Sequence, residues 1–177
     1  MARSRALLAS ANVNPATESD IRASFVNCSK GEAKRLPVLR DLADLPWDDL
    51  DFLGWRDPAA PDRGYLVGEH GSRLVGVVLR SAARRTRDVT RRSLCSLCVT
   101  SHPAGGVELM SARKAGAAGR QGDSAGVHMC ADLACPLYVR GIKSPAAGGR
   151  LPEDMTLDEQ IERTASRVGT FLSRVLG

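Results

Sequence analysis

Aromatic residues are scarce in this chain, at 4%, and there are only three histidines. A core with so few rings has to rest on Leu, Val and Ala, and a hydrophobic content of 43% supplies them. No apolar run reaches the roughly 18 residues that a membrane-crossing helix needs. The opening MARSRALLASANVN holds two arginines and an apolar patch too short for a signal-peptide core, with no clear cleavage site after it. The expected location is therefore cytoplasmic. His70, His102 and His128 have no motif around them. There is no H-E-x-x-H helix, no phosphate-binding loop of the G-x-x-x-x-G-K type, and no H-x-E ahead of a P-C-x-x-C. These absences speak against an enzyme.

What is present is cysteine in pairs. Cys95 and Cys98 form a C-x2-C in RRSLCSLCVT, and, after a gap of thirty-one residues, Cys130 and Cys135 form a C-x4-C. Cys28 stands apart and is expected to be a small, half-buried thiol. In a reducing compartment, close pairs serve as metal ligands or redox motifs more often than as disulfides, and five is an odd number for a closed disulfide set. A thioredoxin-like reading needs a helix starting inside the C-x-x-C, whereas CSLCVTSHPAGG runs on into strand and loop.

Charge is distributed unevenly. From Arg80 to Arg92, six arginines face one acid, Asp88, so this short stretch carries the whole of the net +5. From Leu36 to Asp62, seven aspartates face Arg40 and Arg56. A cluster of arginines attracts phosphates or an acidic protein face, although it also suits a merely solvated loop. Arg84, Arg85, Arg87, Arg91 and Arg92, with Arg140 at the end of CPLYVR, are the candidate partner-binding residues.

The expected elements follow from local signals. Residues 1–16 are expected to form a flexible tail, and 17–177 a single domain. Thr17 and Asp20 make a capping box ahead of Ile21 and Phe25. Residues 35–64 are expected to be irregular, punctuated by four prolines, with Trp47, Leu50, Phe52, Leu53 and Trp55 pinning the segment to the core. Tyr65–Glu69 and Arg73–Leu79 read as a β-hairpin, and Val107–Arg113 and GVHMC as further strands. AGAAGRQGDSAG reads as a mobile loop, and DLACPLYVRGIK as a helix starting near Leu133. Thr156 and Glu159 cap a C-terminal helix whose stripe of Leu157, Ile161, Val168, Phe171 or Leu172, and Val175 is expected to dock on the sheet.

Four thiolates in two pairs suit a tetrahedral zinc. The knuckle Cys95/Cys98 holds two ligands. Cys130 closes a strand, and Cys135 falls in the first turn of a helix, where the dipole favours a thiolate. Knuckle, hairpin and a helix bearing the last ligand are the outline of a treble-clef zinc finger. His128, two residues before Cys130, is an alternative ligand. The fold class expected is α+β, an antiparallel sheet with a treble-clef zinc finger and flanking helices. Four cysteine ligands leave no open position, so the zinc is expected to be structural.

CSLC, HMCADLACPLYVR and the DFLGWRDP…YLV…GVVLR block resemble the elongation factor G-binding proteins, over about residues 20–175. The C-terminal treble-clef domain of that family is shared with the fusidic-acid resistance proteins. The resemblance implies a structural zinc on Cys95, Cys98, Cys130 and Cys135. It implies elongation factor G and the ribosome as partners, with release of the factor as a consequence of binding. The alternative is an RNA-binding zinc module that sets the Arg80–Arg92 run against phosphates, ribosomal RNA included.

Overall fold

The structure is a computed structural model and describes residues 13–82 and 92–177. Its elements, in chain order, are α1 (Glu18–Ser24), α2 (Lys30–Arg35), β1 (Phe52–Arg56), β2 (Arg63–His70), β3 (Arg73–Ser81), β4 (Ser93–Leu94), β5 (Thr100–His102), β6 (Val107–Arg113), α3 (Gly116–Arg120), β7 (Ser124–Cys130), α4 (Cys135–Val139), β8 (Gly149–Arg150) and α5 (Leu157–Leu176). A five-stranded antiparallel sheet runs in the order β1-β2-β3-β6-β7, and β4-β5-β8 form a small second sheet. The fold is α+β, as expected.

The hairpin β2–β3 is the spine. Its register is unbroken from Arg63 opposite Arg80 to His70 opposite Arg73. The tight reversal needs a left-handed residue, and Gly71, at φ +63°, provides it. One face of the sheet presents Phe52, Leu66, Val75, Val77, Leu79, Met110 and Met129, and α5 lays Val168, Phe171, Leu172 and Val175 on it. The other face presents Leu53, Trp55, Tyr65 and Val67 to an N-terminal layer holding Val13, Ile21, Leu36, Trp47 and Leu50. The expected pinning by aromatic residues is what the structure has. Trp47 Nε1 donates to Leu42 O and Trp55 Nε1 to Pro37 O, so each buried indole N–H has a partner.

The helix caps fall where the sequence placed them. Thr17 and Asp20 close a full capping box on α1, and Thr156 and Glu159 close one on α5. Ser29 and Glu32 do the same for α2, a helix the sequence reading passed over.

Four expectations need correction. The stretch read as irregular contains β1, because Phe52 and Leu53 are both buried, one on each covered face, and a strand buried on both sides shows no alternation. AGAAGRQGDSAG is not one loop: it holds α3 and the start of β7, and Ala115 N donates to Val175 O of α5. The helix after the second cysteine pair starts at Cys135, not Leu133, because Leu133 sits at φ +61° in the left-handed region, which no α-helix admits. Finally, the chain is already docked at Val13, which is 1% exposed and donates its N–H to Leu50 O. Of the expected tail, residues 1–12 lie outside the described residues.

Candidate metal centre

The C-x2-C segment folds as a knuckle between β4 and β5. Cys95 N donates to Thr100 O, and Val99 N donates to Cys95 O at 3.1 Å. Val99 adopts φ +56°, the left-handed step that reverses the chain so that both sulfurs point inward. Leu97 N lies 3.4 Å from Cys95 Sγ, the amide–sulfur contact that such a turn makes possible. The knuckle is anchored from two sides. Ser96 N donates to His128 O of β7, and Arg167 of α5 donates to Ser96 O at 2.8 Å. Thr164 interrupts the apolar stripe of α5 because its hydroxyl faces the knuckle at Leu97 O, while Leu157 at the start of the expected stripe is exposed.

The second pair is set by a short loop. Cys130 ends β7, and Leu133 N donates to Cys130 O in a tight turn. The Asp132 carboxylate accepts from Ala134 N and so orients the start of α4, whose first residue is Cys135.

These elements bring Cys95, Cys98, Cys130 and Cys135 together, with all four Sγ atoms within 4.8 Å of one another. Cys95 Sγ is 3.7 Å from Cys135 Sγ, and Cys98 Sγ is 3.6 Å from Cys130 Sγ. A disulfide would need about 2.05 Å. A tetrahedron with Zn–S bonds of about 2.3 Å has sulfur–sulfur edges of about 3.8 Å, so the spacing is that of a zinc site. None of the four cysteines is more than 1% exposed. The shell is closed and dry, the form of a structural zinc rather than a catalytic one.

The electrostatics favour a cation at the centre. The Cys95 thiol is held low by its hydrogen bond from Cys130, then by that from Cys135. Cys98 is lowered by the same two neighbours. Burial pushes the Cys135 thiol up, as do its bonds to the other three. The knuckle sulfurs are thus favoured as thiolates and Cys135 as the neutral thiol. A divalent ion displaces the remaining protons, because only then is the buried charge balanced.

One residue of this site is absent from the sequence reading. His102 is 4% exposed on β5, and its Nε2 lies 3.3 Å from Cys130 Sγ. Burial lowers its pKa, with Asp132 opposing, and this favours the neutral ring. The ring meets Tyr138 edge-on at 4.7 Å. Tyr138 donates its hydroxyl to Asp132 Oδ2, which also takes Lys143 Nζ at 2.7 Å. The signal was present but faint: His102 follows Thr100 by one strand period, and Thr100 Oγ1 is 3.3 Å from Cys98 Sγ. His128, by contrast, is exposed and stands outside the sulfur cluster, so the alternative ligand is excluded by geometry.

The basic candidates divide. Arg84, Arg85, Arg87 and Arg91 lie outside the described residues. Arg92 is exposed, immediately ahead of β4. Arg140 needs correction as a partner-binding residue. Its side chain is 7% exposed and grips Asp51, itself fully buried, through two bonds of 2.8 and 2.9 Å, with Asp49 at 3.7 Å. It clamps the end of α4 to the acidic segment. A G-x-S-x-G, expected to be absent, is present at Gly122–Gly126. A nucleophile elbow needs strand, turn, then helix, whereas Ser124 opens a strand after α3.

The sequence matches the FBP C-terminal treble-clef zinc-finger family over residues 20–175. The chain belongs to this family. Its treble clef carries a structural zinc on Cys95, Cys98, Cys130 and Cys135. No curated protein matches the chain in sequence. Among solved structures, this treble-clef protein is similar to the fusidic acid resistance protein FusC, at 15% identity and a TM-score of 0.45, over 68% of this chain and 49% of that one. The match thus spans about half the length of FusC. Among the described residues, no helix is long and apolar enough to cross a membrane.

Proposed function

We propose that this treble-clef domain is a binding module for elongation factor G, on or off the ribosome, and that docking promotes release of the factor. The reading rests on family membership and on the sequence resemblance to elongation factor G-binding proteins. One observation supports a docking role above all. The metal shell is sealed, yet its supporting elements expose apolar side chains: Leu94 on β4, Ile142 just after α4 and Leu151 just after β8 are 47%, 57% and 46% exposed. A sealed zinc does no chemistry on a substrate, but it can stiffen a surface that meets another macromolecule. An enzymatic role is therefore not part of the proposal, and a cytoplasmic location is.

The test is affinity capture with purified elongation factor G and with ribosomes. Retention of the factor by the zinc-loaded protein, weakened in a Leu94→Asp/Ile142→Asp variant of unchanged zinc content, is the expected result. No retention of either factor or ribosome would sink the proposal.

The second reading, RNA contact through the arginine run, is favoured by the exposed Arg92 beside the knuckle. Binding to ribosomal RNA would then fall steeply with salt, with a log–log slope set by the number of phosphates contacted. Replacing Arg84, Arg85, Arg91 and Arg92 by Ala would abolish ribosome binding and leave factor binding intact. Salt-insensitive binding would remove this reading.

A further inference from the structure

A cavity of about 440 Å³ lies between α1 and α2, on the opposite face of the sheet from α5 and the knuckle. Its inner wall is Phe25, Cys28 and Ala33, and Lys30 and Lys34 stand exposed at its rim. The size is that of a small-molecule site, in the range of roughly 300–1,000 Å³.

The wall is held open by the fold. Phe25 bridges to Gly76 of β3, and its ring meets Trp55 and Tyr65 edge-on at 6.5 and 6.1 Å. Asn27 is tied to β3 in both directions, accepting from Val78 N and donating to Val78 O. Arg22 ties α1 to the end of α2, donating to Ala33 O at 2.9 Å and Lys34 O at 2.8 Å, with its charge met by Glu18. These ties fix the positions of α1 and α2 on the sheet, with the space between them.

Its charge is one-sided. Three of the residues lining the cavity are cationic and none is acidic. Lys30 and Lys34 are spaced i, i+4 on one short helix, so they repel each other. The nearest acid on that helix, Glu32, has its carboxylate taken by Ser29 in the capping box. An anion between the two ammonium groups would remove the repulsion, while its apolar body would cover Phe25, Ala33 and the Cys28 thiol.

We propose that the cavity between α1 and α2 is a binding site for a small apolar anion, a carboxylate or sulfonate carried on a hydrophobic ring or chain. The site is separate from the zinc centre and does not depend on the partner proposed above. Cys28 reports on it directly, because it is the one cysteine outside the metal cluster.

The experiment uses the zinc-loaded full chain and 8-anilinonaphthalene-1-sulfonate as the probe. The expected result is saturable, one-site fluorescence enhancement in protein whose thermal melt is that of a folded domain. Bound probe should slow iodoacetamide alkylation of Cys28, located by mass spectrometry, at least fivefold. A Lys30→Glu/Lys34→Glu variant should bind at least tenfold more weakly. Ala23→Trp, at an exposed position of the cavity wall, should block binding and leave the melt unchanged. The proposal is overturned by the absence of saturable binding, by equal binding in both folded variants, or by alkylation indifferent to the probe. Saturation by an acidic Leu/Glu peptide but not by the probe, or self-association abolished by Ala23→Trp, would also overturn it by naming a different occupant.

Discussion

His102 Nε2 sits 3.3 Å from Cys130 Sγ, and both side chains are buried. Four thiolates on one zinc leave a net charge of about −2 in a dry core, and each sulfur needs a donor nearby. Leu97 N lies beside Cys95 Sγ, and Thr100 Oγ1 and His102 Nε2, each 3.3 Å from the sulfurs of Cys98 and Cys130, can donate to them once they are thiolates. We expect His102→Ala to weaken zinc affinity by about tenfold, the lower end of what loss of such a supporting contact costs. Competition against a chromophoric chelator measures this. In the cobalt-substituted protein, the sulfur-to-metal charge-transfer band should shift as well, and an unmoved band would assign His102 to packing alone.

Removing a ligand is a harsher change. Metal binding is folding free energy in such sites, on the order of 10 kcal/mol. Cys98→Ser, or prolonged chelation of the parent, should open the region 95–140 while the β2–β3 hairpin keeps part of its protection. Amide exchange resolved by mass spectrometry is the measurement. Equal protection of both regions with and without zinc would contradict it.

The Arg140–Asp51 pair yields a prediction with a pH signature. Burial raises the pKa of Asp51, with Arg140 pulling against it. Arg140→Ala leaves a buried carboxylate with its main partner gone and should cost about 3–5 kcal/mol at neutral pH. A carboxyl whose folded pKa is raised above 3.8 adds stability below that value and loses it as pH rises through the folded one. The variant should therefore be least destabilised near pH 4 and progressively more so towards pH 7. Urea melts of both proteins across that range check the slope, and a pH-independent difference would rule out Asp51 as the cause.

Gly54 couples the sheet to the metal loop. A Cβ placed there would sit 2.7 Å from Leu133 Cβ and 2.8 Å from Leu133 O. Leu133 lies between two ligands and already adopts a left-handed backbone. Gly54→Ala should cost about 1–3 kcal/mol through overpacking, and should also speed zinc loss to a chelator. A stability loss with unchanged zinc release would mean that the sheet yields instead of the loop.

Much of the site was legible because its signals are local. Cysteine spacing, a strand ending at Cys130 and a helix with Cys135 in its first turn all act over a few residues, so four ligands could be named without coordinates, although the helix start was set only by the left-handed backbone of Leu133. The capping boxes of α1 and α5 span three residues and were legible for the same reason. β1 was not, because its two faces are covered by segments distant in sequence and its own pattern carries no alternation. Arg140 was misjudged because only the fold brings Asp51, 89 residues away, within 2.8 Å of it.

Cysteine spacing and local backbone signals were enough for the metal, its ligands and the class of fold, since thiolate chemistry and short-range backbone preferences need no distant contacts. Tertiary packing set the contact of His102 with Cys130, turned Arg140 inward and left a basic cavity between α1 and α2. Those features come from residues far apart along the chain, and only packing sets their distances.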